Sequence, residues 1–282
     1  ASFIEALAAS AATALETQEL LRAQKAMVDA TIRMVADAID AKSPYTGGHC
    51  TRVPELTFML ARAACDKTDG PFANYTLDEE QWEALYIAGW LHDCGKVTTP
   101  EYVVDKATKL ETVNNRIHEI RTRFEVLKRD AQIDYWRELA QGGDEAALRL
   151  QRDARLQALD QDFAFVADCN VGSEFMSDQK MERLREIAKY AWLRTLDDRV
   201  GLSRDELSRY TEPPLPLPVQ EFLLADKPEH RIARPVSEQM PESSRWGFAM
   251  SVPELLHNHG ELHNLSIRRG TLTEEERYKI NQ

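Results

Sequence analysis

The sequence predicts an all-α protein, and three observations carry that prediction. Residues 1–42 hold neither proline nor glycine and abound in alanine. Three later stretches, near 114–140, 145–165 and 178–196, set apolar positions among charged ones at helical spacing. No region is strand-rich, and no internal repeat is present.

Taken in order, residues 3–41 read as one long helix. Leu7, Ala11, Ala14, Leu21, Val28, Ile32, Val35 and Ile39 recur at spacings of three and four, broken at Gln18 and Lys25. This is either an amphipathic helix packed on its own domain or the seam of a parallel dimer that carries a signal. Ser43-Pro44 ends it, because the residue before proline avoids helical geometry. After Gly47-Gly48 a second helix runs from about His49 to Asp66, followed by a loop at Gly70-Pro71. Leu77-Asp78-Glu79-Glu80 begins a third helix with acids in its first turn. That helix carries Trp82, Leu85, Tyr86, Ala88 and Leu91 into His92-Asp93, and Gly95 ends or bends it.

Gln141-Gly142-Gly143-Asp144 reads as a turn, and the helices 145–165 and 178–196 as a helical hairpin. Pro213, Pro214, Pro216, Pro218, Pro228, Pro235 and Pro241 make residues 211–241 a loop or strap. Thr273 reads as the N-cap of a last helix, with Glu276 at the third helical position.

Composition narrows the function. At 282 residues, 43% apolar and net charge -12, the chain can form a real core. It is poorly suited to nucleic-acid polymers, whose affinity rests on phosphate neutralisation. A small phosphorylated ligand remains compatible through metals or a local cationic pocket. Cys50, Cys65, Cys94 and Cys169 form no CxxC pair and read as reduced thiols of a cytoplasmic protein. No stretch is apolar enough to span a bilayer, and no signal-peptide pattern is present. The chain opens on Ala1 and stops inside a predicted helix. Both ends therefore read as cut from a longer protein.

The chemistry-bearing residues are His92 and Asp93 in Leu91-His92-Asp93-Cys94-Gly95-Lys96, with His49 upstream in Tyr45-Thr46-Gly47-Gly48-His49. Imidazole and carboxylate hold divalent metals, a metal-bound water loses its proton near neutral pH, and a lysine steadies phosphate. Adjacent residues on a helix point about 100° apart. This suggests that Asp93 lies between two metals while His92 binds one from the side. His257, His259 and His263 are interrupted by Gly260 and read as a loop rather than a metal cluster. His118 reads as solvated, and Asp197-Asp198 as a helix end salt-linked to Arg194 and Arg199.

Asp40-Ala41-Lys42-Ser43-Pro44-Tyr45-Thr46-Gly47-Gly48-His49-Cys50-Thr51-Arg52-Val53, Leu91 to Pro100, and Gly270 to Arg277 resemble the HD superfamily. The specific likeness is to its HD-GYP subfamily of cyclic di-GMP phosphodiesterases. The resemblance implies an HD-domain helical bundle behind the long helix. It makes His49, His92 and Asp93 metal ligands, Asp93 bridging, with Asp93 and Lys96 as the catalytic residues and Lys96 on the scissile phosphate. Some relatives place a third-metal carboxylate where this chain has Tyr45, so two divalent ions, iron or manganese, are expected. The implied organisation is a signalling and dimerisation helix at 1–42, the first part of the HD domain at 43–110, a helical insertion with a Pro-rich strap at 111–269, and the resumed HD domain at 270–282. The implied partners are cyclic di-GMP or a related small nucleotide, and a second copy through the N-terminal helix. The alternatives are a non-catalytic dimeric signalling module and an HD phosphohydrolase of another nucleotide.

Overall fold

The computed structural model describes residues 2–42, 48–173, 175–238 and 250–281. The expected Ser43-Pro44 stop, Tyr45, Gly47 and Pro241 lie outside the described residues. The architecture is all-α with two small two-stranded sheets, and the chain divides into two compact units, Ala1–Val104 and Asp105–Gln282. Among the described residues, no helix is long and apolar enough to cross a membrane.

The first unit holds α1 (Ser2–Lys42), α2 (His49–Cys65), α3 (Glu79–Leu91) and α4 (Glu101–Val104). At about 1.5 Å per residue, α1 is roughly 60 Å long. Only its last third is packed. Ile32, Ala36 and Ile39 form one stripe at helical spacing, buried with Cys50 and Trp90 against Val35, Tyr86 and Leu91. Full burial of an isoleucine contributes about 1.5–3 kcal/mol. Upstream, seam residues Leu7, Leu21 and Val28 stay 57%, 60% and 46% exposed. The seam therefore has two fates: its end closes the core of the unit and its beginning stays bare.

A capping box starts α3, with Asp78 and Gln81 bonding each other's backbone N–H groups. Phe58 of α2 stacks on Trp82 at 5.6 Å. Gly89 allows the close approach of α2 and α3, since a Cβ there would lie 3.3 Å from the Pro54 Cα.

The second unit holds α5 (Ile117–Ala140), α6 (Glu145–Val171), α7 (Asp178–Ala188), β1 (Ala191–Arg194), α8 (Arg204–Leu207), β2 (Val219–Phe222), β3 (Arg231–Ala233), β4 (Leu255–Asn258), α9 (Glu261–Leu265) and α10 (Glu274–Asn281). The hairpin is formed by α5 and α6 around the Gly142 turn, rather than by α6 and α7. Their facing residues Ile120, Phe124, Leu127, Leu159 and Val166 join Leu184, Leu223 and Leu265 in one core. The expected helix 178–196 ends at Ala188. Tyr190 and Trp192 then turn onto the core while Leu193 faces out, an alternation that suits a strand. β1 pairs antiparallel with β2, so the Pro-rich stretch contains ladder, and β3 pairs with β4. Asp198 follows β1 rather than ending a helix, and pairs with Arg194 at 3.2 Å.

The predicted cap of α10 is present. Thr273 Oγ1 accepts from the Glu276 N–H, and the Glu276 carboxylate accepts from the Thr273 N–H. The same carboxylate takes two bonds from the buried Lys106 ammonium, at 2.8 and 2.9 Å. A second buried lysine, Lys109, donates to the carbonyls of Leu265 and Ile267 at the end of α9.

Candidate metal centre

His49 is the first residue of α2, and His92 is the residue on which α3 closes. The helix ends at Leu91, before Gly95, because Asp93 leaves α geometry (φ −108°, ψ 9°) and Cys94–Val97 tightens into a 3-10 turn. This break undoes the divergence expected of neighbours on a regular helix. His92 Nε2 and Asp93 Oδ2 stand 3.3 Å apart, the two histidine Nε2 atoms 3.3 Å, and His49 Nε2 and Asp93 Oδ2 3.6 Å. Three ligand atoms each about 2.1 Å from one ion lie roughly 3–3.6 Å apart in the usual geometries. Among the described residues, this is the group of three whose donor atoms converge.

The tautomer follows from the hydrogen bonds. His92 Nδ1 lies 2.8 Å from the Gly89 carbonyl, which can only accept. Nδ1 therefore carries the proton and the Nε2 lone pair faces Asp93 and His49, the arrangement that metal-ligating histidines use. Two imidazoles and a carboxylate suit first-row transition ions. His49 and His92 side chains keep 41% and 30% exposure against 16% for Asp93, so solvent and small ligands reach the donors.

Lys96 completes the set, its Nζ 2.7 Å from the same Asp93 Oδ2. Cys50, next to His49, takes no comparable part. Burial first, and then the neighbouring Asp40 carboxylate, push its thiol up to about 12, leaving it a neutral donor to Asp40. Sequence reasoning brought His49, His92, Asp93 and Lys96 to attention and missed Asp40 and Lys42. Both open the stretch that carries the HD resemblance, which gave them no role, and a cation in the last turn of a helix is ordinary.

The other histidines do different work. His257 and His259 stack at 5.8 Å on and just beyond β4, while His263 lies on α9, and no third donor joins them among the described residues. Burial lowers His230 and His257, and takes His259 from 6.5 to about 4. Between those two pH values only the unfolded chain takes up the His259 proton. This part of the stability is complete above about pH 6.5 and is lost as pH falls towards 4. The expected loss from His259 is roughly 2–3 kcal/mol. A melting series from pH 7 to 4.5 should fall more steeply for the native chain than for His259→Leu. Parallel curves would contradict this assignment.

Fold and donor set define the class: an all-α protein with a convergent His-His-Asp centre. The HD domain family model matches residues 218–282, a stretch that runs from the edge of β2 through α10 and excludes His49, His92, Asp93 and Lys96. A curated relative is the 3'3'-cGAMP-specific phosphodiesterase 1 of Vibrio cholerae serotype O1, 36% identical over 77 residues. The match covers 27% of this chain and spans 15% of that relative's length. No solved structure matches the chain. Residues 218–282 thus resemble an HD domain, and 77 residues of the chain resemble a phosphodiesterase.

Proposed function

We propose that the protein is a metal-dependent phosphodiesterase of the HD-GYP type that opens a cyclic dinucleotide in signal transduction. The observation that carries this reading is the convergence of His49 Nε2, His92 Nε2 and Asp93 Oδ2 within 4.8 Å of one another. The sequence resemblance favours cyclic di-GMP as the substrate, while the specificity of the Vibrio relative favours 3'3'-cGAMP. His49, His92 and Asp93 would hold divalent iron or manganese, two ions being the number that the sequence resemblance favours.

Divalent metal held there supplies an acidified water and neutralises phosphoryl oxygens. The chain's own residues do the rest. Gly89 holds the His92 proton on Nδ1 and leaves Nε2 free to coordinate. Asp93 brings the negative charge that draws cations. Lys96, whose Nζ lies 2.7 Å from Asp93 Oδ2, stands where its ammonium would offset charge developing on a phosphate held at the centre.

We read residues 43–110 as the first part of the HD domain, 111–269 as an insertion whose end the HD family match at 218–282 already covers, 270–282 as the resumed HD domain, and 1–42 as a dimerising helix in a cytoplasmic protein. The bare seam of α1 favours a second reading, a non-catalytic dimeric module.

One experiment separates the two. The whole protein, purified without chelator, is analysed for iron and manganese, sedimented, and assayed with cyclic di-GMP, 3'3'-cGAMP and a mononucleotide ester. Metal-dependent opening of a cyclic dinucleotide is the expected result. A metal-free, inactive dimer would establish the second reading. Turnover of the mononucleotide alone would move the substrate to another nucleotide class.

A further inference from the structure

We infer that Asp40 and Lys42 are positioning residues, a two-sided clamp by which the last turn of α1 sets His49 against the His92–Lys96 segment. The inference rests on the metal-centre reading above and deepens it. Gly48, the residue before α2, sits at φ +72° and has no side chain with which to cap the helix. The cap comes instead from α1: Asp40 accepts from the Gly48 N–H at 3.1 Å and from the Cys50 N–H at 3.5 Å. These two amides flank His49, so Asp40 fixes the turn of backbone from which that imidazole projects.

Lys42 acts on the other side. Its Nζ donates to the carbonyls of Lys96 and Val97, at 2.8 Å each, and to that of Thr99. An ammonium has three protons, and all three are used. The acceptors close the 3-10 turn that begins after Asp93 and carries Lys96. One helical turn therefore holds both the backbone around His49 and the segment that follows Asp93, through two residues of opposite charge. Ile39, buried in the same turn, anchors the clamp to the core.

A plain capping role predicts lost stability with unchanged chemistry, typically about 1 kcal/mol for a cap. A positioning role predicts lost metal affinity. The test titrates Mn²⁺ alone into the whole protein and its Asp40→Asn, Asp40→Ala, Lys42→Met and Lys42→Arg variants, with melting curves and amide exchange of segments 48–53 and 94–99. Orienting partners behind metal ligands typically alter affinity by about 10–100-fold. The expected result is a Mn²⁺ Kd at least ~10-fold weaker for Asp40→Ala and Lys42→Met, with largely recovered binding for Lys42→Arg. Faster exchange is expected at 48–53 in the first variant and at 94–99 in the second. Folded variants with native Kd overturn the clamp and leave the proposed function standing. A native protein that takes up no Mn²⁺ removes the metal reading itself. Exchange then decides, and unchanged protection in both segments overturns the clamp.

Discussion

Asp93→Ala is expected to strip the centre of metal and to lower turnover by roughly 10³-fold or more, because it removes a direct donor where even indirect partners matter 10–100-fold. Its Oδ2 is the point nearest to everything else in the site: 2.7 Å from Lys96, 3.3 Å from His92 and 3.6 Å from His49. Without it two imidazoles and an ammonium face one another with no negative charge between them, a poor host for a cation. The fold should survive, since the pair with Lys96 is partly solvated and such pairs contribute about 1 kcal/mol or less. Metal content, turnover and melting are measured together on the same preparation. Metal retained at the native level in a folded variant would refute the donor assignment. Asp93→Asn, which keeps the shape and loses the charge, should fall close to the alanine variant.

The second large effect concerns stability. Glu276→Ala should cost about 3–5 kcal/mol, because it strands Lys106 as a buried charge. The Lys106 side chain is 1% exposed and that of Glu276 10%. Burial lowers the lysine's proton affinity, and attraction to Glu276 opposes that shift. Removing the carboxylate removes the opposition, and also the acceptor of the Thr273 N–H. A melting decrease of roughly 10 °C is expected for a unit of this size. Pairing the change with Lys106→Met should recover much of the loss, since an apolar replacement of both partners is often neutral. A double variant no better than Glu276→Ala would show that the ion pair is not the cause.

How much of this was legible beforehand depended on the range of the forces involved. The α10 cap was readable because Thr273 and Glu276 are three residues apart and need only each other. That Glu276 also receives Lys106, 170 residues away, was not readable, since no local pattern marks the partner of a buried charge. The helix over 3–41 was readable from its composition; how its seam divides between a buried end and a bare beginning was not, because both halves carry the same spacing. Trp192 defeated the helical reading of 178–196: alternation over four residues is too short to outvote a charged helical run until Leu223 and the core claim the aromatic face. At the centre, residue identity pointed to His49, His92 and Asp93. Their convergence depends on a helix that stops at Leu91, and the next glycine along the chain, Gly95, suggested a later stop. Asp40 and Lys42 stood in the stretch that resembles the HD family, yet their roles were not readable, because their targets are backbone groups, which carry no signature in the sequence.

The bare two-thirds of α1 also acts as a ruler of angular phase. Each residue turns the helix about 100°, so seven added residues restore the original direction to within about 20°, whereas two reverse it. Whatever grips α1 near Leu7 meets the Asp40–Lys42 turn at an angle fixed by residue count alone. Insertions of seven in this segment would lengthen the rod while keeping its phase, and insertions of two would keep its reach nearly unchanged while facing its far end the opposite way.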